Sequence, residues 1–98
     1  METLNMEKKT EWKYAEILKW KKKEIQLNGW NVFDVRASEL MEETEPGIDN
    51  LNACIEGMLK NMLEGDVFLA GNEYDRGEDF AVRYYCDNLS DSRRKIFG

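Results

Sequence analysis

Lys13, Lys19, Lys21, Lys22 and Lys23 fall within eleven residues, beside Trp12 and Trp20. Ammonium groups at that density can neutralise phosphates, and indoles among them can stack on bases. The five lysines and Trp12 are therefore a candidate nucleic-acid-binding set. Two features weigh against it. At about 100° per residue the lysines surround a helix instead of forming one stripe, with Glu11, Glu16 and Glu24 interspersed. The whole chain also has a formal net charge of −6, whereas nucleic-acid-binding domains usually carry a basic balance. Both signs on the polar face make a membrane-surface helix a weaker reading still. An ordinary solvated helix, with lysine stems covering apolar neighbours, explains the stretch as well.

The same wheel isolates a second candidate. Tyr14, Leu18 and Ile25 form a narrow apolar stripe, and Trp20 and Leu27 lie almost opposite it. If the stripe faces the core, Trp20 and Leu27 are left for a partner protein or a second copy of the chain, with Trp30 in the same patch.

Glu73, Asp75, Glu78 and Asp79 crowd the segment Gly71–Asp79. Oxygen ligands in that density suggest calcium, but an EF-hand loop needs oxygens at positions 1, 3 and 5 and glycine at 6. Setting Gly77 at position 6 places Tyr74 and Arg76 among the ligands, and setting Gly71 there places Phe68 and Ala70. Both registers fail. The segment reads as a solvated hairpin loop whose four acids offer a negative surface to a basic partner protein. They join Trp20, Leu27 and Trp30 as candidate partner-binding residues.

Catalysis finds little support. The chain has no histidine, which removes the commonest general base, the commonest zinc ligand and the usual partner of a nucleophilic serine or cysteine. Paired carboxylates can do acid–base work alone. Asp34 in VFDV and Asp66 before VFLA come closest to apolar surroundings, and both read as cap or turn residues. No phosphate-binding glycine loop, nucleophile elbow or CxxC pair occurs. We expect no enzyme, no cofactor and no metal.

Cys54 and Cys86, in apolar surroundings, read as two buried thiols of a reducing compartment. Asn88-Leu89-Ser90 matches the glycosylation pattern and reads as chance without a secretory leader. The leading METLNMEKKT has no apolar segment, and no run approaches the ~18 apolar residues of a membrane span. The expectation is cytoplasmic, without membrane association.

The elements that must position these residues follow from periodicity and breakers. Ninety-eight residues, 42% apolar and 35% charged, imply one small soluble domain over 1–98, with 1–7 disordered. Charge is segregated: +3 over Glu7–Glu24, −10 over Asp34–Asp79 and +2 from Arg83 onward. A first helix is expected over Lys8–Asn28, stopped by Gly29. A second falls within Asn31–Glu45, with a short strand first as a variant, and ends before Pro46. The third, Ile48 to Gly65, has the most continuous apolar face. Val67–Ala70 and Phe80–Cys86 then read as a two-stranded hairpin, with a helix over Asp79–Leu89 as the competitor. Ser90 caps a short last helix, Asp91–Phe97. The fold class is thus α+β, small and mainly helical, with all-α as the alternative. The function expected is a non-catalytic interaction module, meaning a regulator, inhibitor or accessory subunit. Its partner would be another protein, or a second copy in a homo-oligomer. Nucleic-acid binding through the first helix is the alternative.

Overall fold

Heptad-like spacing of Tyr14, Leu18 and Ile25 drives the first helix, α1 (Met6–Leu27), and Tyr14 and Leu18 are completely buried. The computed structural model describes residues 6–47, 49–86 and 93–97, with side chains from Lys13 onward. Residues 1–5, in the segment expected to be disordered, lie outside that range, and α1 already includes residues 6 and 7. Gly29 ends α1 as expected. At φ 84° it lets its own N–H reach the Gln26 carbonyl (3.0 Å) while Trp30 N–H reaches Ile25 (3.0 Å), the paired bonds of a Schellman cap.

The chain next forms a strand, β1 (Val32–Arg36), before the second helix, α2 (Ala37–Thr44). The helix expected within Asn31–Glu45 therefore occupies the second part of that span, and the short strand given as the variant precedes it. In VFDVR burial alternates, with Val35 and Phe33 turned inward and Val32, Asp34 and Arg36 outward. Pairing along one side of the sheet outcompetes helical spacing over so few residues.

The third helix, α3 (Leu51–Lys60), is shorter than the expected 48–65 span. Ile48 lies outside the described residues. After Lys60 the chain tightens into turns, with Asn61 N–H on Met58 and Met62 N–H on Leu59. Strands β2 (Val67–Ala70) and β3 (Ala81–Tyr85) follow and pair as the expected hairpin. The competing helix over 79–89 is not what forms in its described part. β1 adds to the other side of β3, so the hairpin is part of a three-stranded antiparallel sheet in the order β1-β3-β2. Val32 faces Tyr85 and Asp34 faces Arg83, with two guanidinium–carboxylate bonds of 2.7 and 2.9 Å.

Phe80, Val82, Tyr84 and Cys86 share the inner face as expected and are all buried. They meet Leu18, Leu40, Ile55 and Met58 from the helices in one hydrophobic core. Val32, Val67 and Leu69 stay exposed on the other strand face, the usual one-sided burial of a small antiparallel sheet. Cys54 and Cys86 are buried thiols, not a disulfide.

The last helix expected over 91–97 is not formed in its described part. Ser90, its expected cap, and the Asn88-Leu89-Ser90 sequence lie outside the described residues. Residues 93–97 form a bent, irregular tail, bridged antiparallel at Leu63 and Lys95, with Glu64 N–H on Arg94 and Ile96 N–H on Met62. The cause is Arg93. Its guanidinium donates to Asp66 (2.8 Å), to the Tyr85 carbonyl (2.7 Å) and to the Glu64 carbonyl (2.7 and 3.0 Å). Together these bonds fasten the tail to the turn before β2 and to the end of β3.

Candidate functional site

Side-chain bonds to α2 and to the end of α3 fix the rotation of α1. Lys13 donates to Glu45 (3.1 Å) just beyond α2, and Lys21 donates to Glu43 (2.9 Å) within it. Tyr14 Oη donates to the other Glu45 oxygen (3.0 Å). Asn61, at the end of α3, donates through its amide to the Ala15 carbonyl (2.8 Å). The bond from Lys13, with those from Asn50 and Tyr14, holds the Glu45 carboxyl below the usual range.

Lys22 points inward. It is 4% exposed, donates to the Asn61 carbonyl at 2.9 Å and lies 5.0 Å from the centroid of the Tyr84 ring. Burial lowers its pKa, while the nearby Asp66 acts in the opposite sense. Lys22 therefore leaves the exposed basic set. Lys13 and Lys21 are engaged by glutamates, which leaves Lys19 and Lys23 as the exposed lysines of that set outside these ion pairs. The Trp12 side chain lies outside the described residues.

With that rotation fixed, Trp20 and Leu27 face solvent, at 74% and 81% exposure. The Schellman cap turns the chain so that Trp30 follows at 64% exposure. A shallow depression of ≈ 350 Å³ flanks this face, lined by Glu16, Ile17, Trp20, Lys21 and Glu24. Large apolar side chains exposed along the outer face of a firmly held helix and just past its end cost solvation in the isolated chain and would gain from being covered.

The acidic loop has its own scaffold. Asn72 Oδ1 accepts from Tyr74 N–H (2.8 Å) and Asp75 N–H (3.0 Å), and Arg76 ties the loop to α3 through Asn52 and Glu56. Asp75, Glu78 and Asp79 are exposed and Glu73 is half-buried. Tyr74, not singled out by sequence, is also exposed at the loop tip. Among the described residues no hydrogen bond or ion pair joins this loop to α1. The seven partner-binding candidates thus fall into two groups, the α1 patch and the loop. Among the described residues no cluster of three metal-ligating side chains occurs, and no helix is long and apolar enough to cross a membrane.

Sequence reasoning missed the buried charges. Asp66 closes a turn, its N–H on the Leu63 carbonyl at 2.9 Å, in keeping with the cap-or-turn reading, but its burial and partners were not foreseen. Its carboxylate is fully buried and accepts from Leu63 N–H (2.9 Å), Tyr85 N–H (2.8 Å) and Arg93 (2.8 Å), joining the turn, the sheet and the tail. Lys22 carried a readable signal: it stands four residues after Leu18 and three before Ile25, on the buried stripe itself. The chain matches no protein-family model, no curated protein and no solved structure, so its functional reading rests on its own residues.

Proposed function

We propose that the protein is a small non-catalytic interaction module of the cytoplasm, a regulator, inhibitor or accessory subunit. It binds a protein partner through Trp20, Leu27 and Trp30. One observation carries the reading: Trp20 and Leu27 stand exposed on a helix whose opposite face is locked into the core, and Trp30 is exposed three residues beyond its end. Tryptophans with this exposure are typical interface anchors. The acidic loop would add long-range attraction for a basic partner. Nucleic-acid binding through α1 is less favoured, because Lys22 is buried and Lys13 and Lys21 are engaged by glutamates.

Comparative affinity capture tests the reading. Proteins retained by the wild type and lost with Trp20→Ala/Leu27→Ala, but still held by Glu73→Gln/Glu78→Gln, identify a partner of the α1 patch. Identical sets from all three baits remove it. A strictly monomeric sizing profile at rising concentration excludes the second-copy version. Salt-sensitive retention on a DNA column would favour the alternative.

A further inference from the structure

Trp20 stands in a row with Glu16 and Glu24, one turn to either side of it along α1. The lysines nearest this flank are engaged elsewhere: Lys13 with Glu45, and Lys21 with Glu43. Among the described residues Glu16 and Glu24 have no ion-pair partner. The depression beside the indole is lined by the Glu16 and Glu24 side chains, by Ile17 and Trp20, and by Lys21, whose ammonium is turned to Glu43 at 2.9 Å. The two carboxylates are therefore the charges there left without an ion-pair partner among the described residues. At ~1.5 Å rise per residue the two carboxylate-bearing positions are about 12 Å apart along the axis, with Trp20 midway.

An indole face attracts cations, and the attraction grows when the cation also meets a carboxylate. An anionic or purely apolar segment would bury Glu16 and Glu24 without compensation, which is costly. We infer that the occupant of this surface is a protein segment bearing two arginine or lysine side chains about two helical turns apart on either side of an apolar residue, the cations meeting Glu16 and Glu24 and the apolar residue covering Trp20. This rests on the reading of the α1 patch as a partner-binding surface, and adds to it the partner's chemistry. Lys19 and Lys23, toward the other flank of the outer face, disfavour a wider cationic footprint and set its limit.

The probe is an end-capped helical peptide with two arginines two turns apart and a leucine between them. Its control carries glutamates in place of the arginines. Binding is read from the three tryptophan indole N–H resonances, that of Trp20 being assigned by its loss in Trp20→Phe. The arginine peptide is expected to move the Trp20 resonance. Glu16→Gln/Glu24→Gln should weaken it about ten-fold at low salt, and Glu73→Gln/Glu78→Gln should leave it within about two-fold. Glu16, Glu24 and Glu78 are exposed and Glu73 is half-buried, and a thermal melt verifies that each variant is folded. Equal binding of the glutamate peptide, or no effect of Glu16→Gln/Glu24→Gln, overturns the cationic occupant and leaves the patch standing as an interface. Equal weakening by the loop variant overturns it as well, since the attraction is then general. If neither peptide moves Trp20, the inference falls, and the capture experiment with Trp20→Ala/Leu27→Ala judges the patch on its own.

Discussion

The Lys22 ammonium donates to the main-chain carbonyl of Asn61 across 2.9 Å, joining the middle of α1 to the end of α3 under the ring of Tyr84. A lysine so buried is a positioning device with an electrostatic cost. It fixes which face of α1 is inward, and so which face presents Trp20. Taking its charge out of water disfavours the protonated form, which is why its pKa falls.

Lys22→Met tests that cost. It keeps the volume, removes the charge and leaves the Asn61 carbonyl without this donor. Relief from burying the charge offsets part of the about 1–3 kcal/mol cost of stranding that acceptor, so Lys22→Met should be the milder change, while Lys22→Ala adds a cavity and should lose about 2–4 kcal/mol. The pH dependence is the sharper readout. Between the lowered folded value and the ordinary ~10.4 of lysine, the unfolded chain holds a proton that the folded chain has released. Stability contributed by Lys22 therefore rises with pH through that window, and Lys22→Met abolishes the rise. Tyr14 opposes it: burial first, then the bond to Glu45, raises its pKa, so the unfolded chain ionises first and stability falls above pH ~10. Cys54 and Tyr84, both pushed up by burial, act in the same sense as Tyr14. The difference between the urea midpoints of wild type and Lys22→Met across pH 8–11 or so therefore isolates the Lys22 contribution, and parallel profiles would refute the assignment to Lys22.

The same residue shows what the sequence made legible. Apolar periodicity located the inner face of α1, and with it the outward direction of Trp20 and Leu27, because a helix has one fixed period. That rule also places Lys22 inside, a consequence obscured when lysine is assumed to face water. β1 was harder, since Phe33, Ala37, Leu40 and Met41 suit a helix locally and only the distant partner β3 decides for a strand. The tail was illegible for the same reason. Arg93 is fastened to Asp66, twenty-seven residues away, and no local pattern announces that pair.

Asp66→Ala should be among the most damaging single changes. Its carboxylate satisfies two main-chain N–H groups and the Arg93 guanidinium, and it is fully buried. Removing one member of a buried, hydrogen-bonded pair leaves the rest uncompensated, at about 3–5 kcal/mol. Loss of the ladder contact at Leu63 and Lys95 should accompany it, seen as faster amide exchange at Glu64 and Ile96. A loss below about 1 kcal/mol would show that the pair is solvated, like an ordinary surface ion pair.

Gly71 and Gly29 make a controlled comparison for the loop and the patch. Both have positive φ, 77° and 84°, which a Cβ makes unfavourable. Around Gly29 nothing lies within 4 Å of an added Cβ, so Gly29→Ala should lose only the conformational term, about 1–2 kcal/mol. At Gly71 an added Cβ would lie 2.5 Å from the Asp75 carbonyl oxygen and 3.2 Å from the Phe80 ring. One neighbour is the backbone of the Asn72 turn and the other a core side chain, so neither yields easily. Overpacking then adds to the conformational term, and Gly71→Ala should cost about 3 kcal/mol or more. The two variants should also differ in where they disturb the protein. Gly29→Ala perturbs the cap that places Trp30, and so should shift the Trp30 indole resonance and weaken capture through the α1 patch. Gly71→Ala displaces the turn carrying Glu73 and Asp75 and should leave the Trp20 and Trp30 resonances unmoved. Equal losses of stability would mean that the Asn72 turn relaxes freely. A Trp20 shift in Gly71→Ala would mean that loop and patch form one coupled surface.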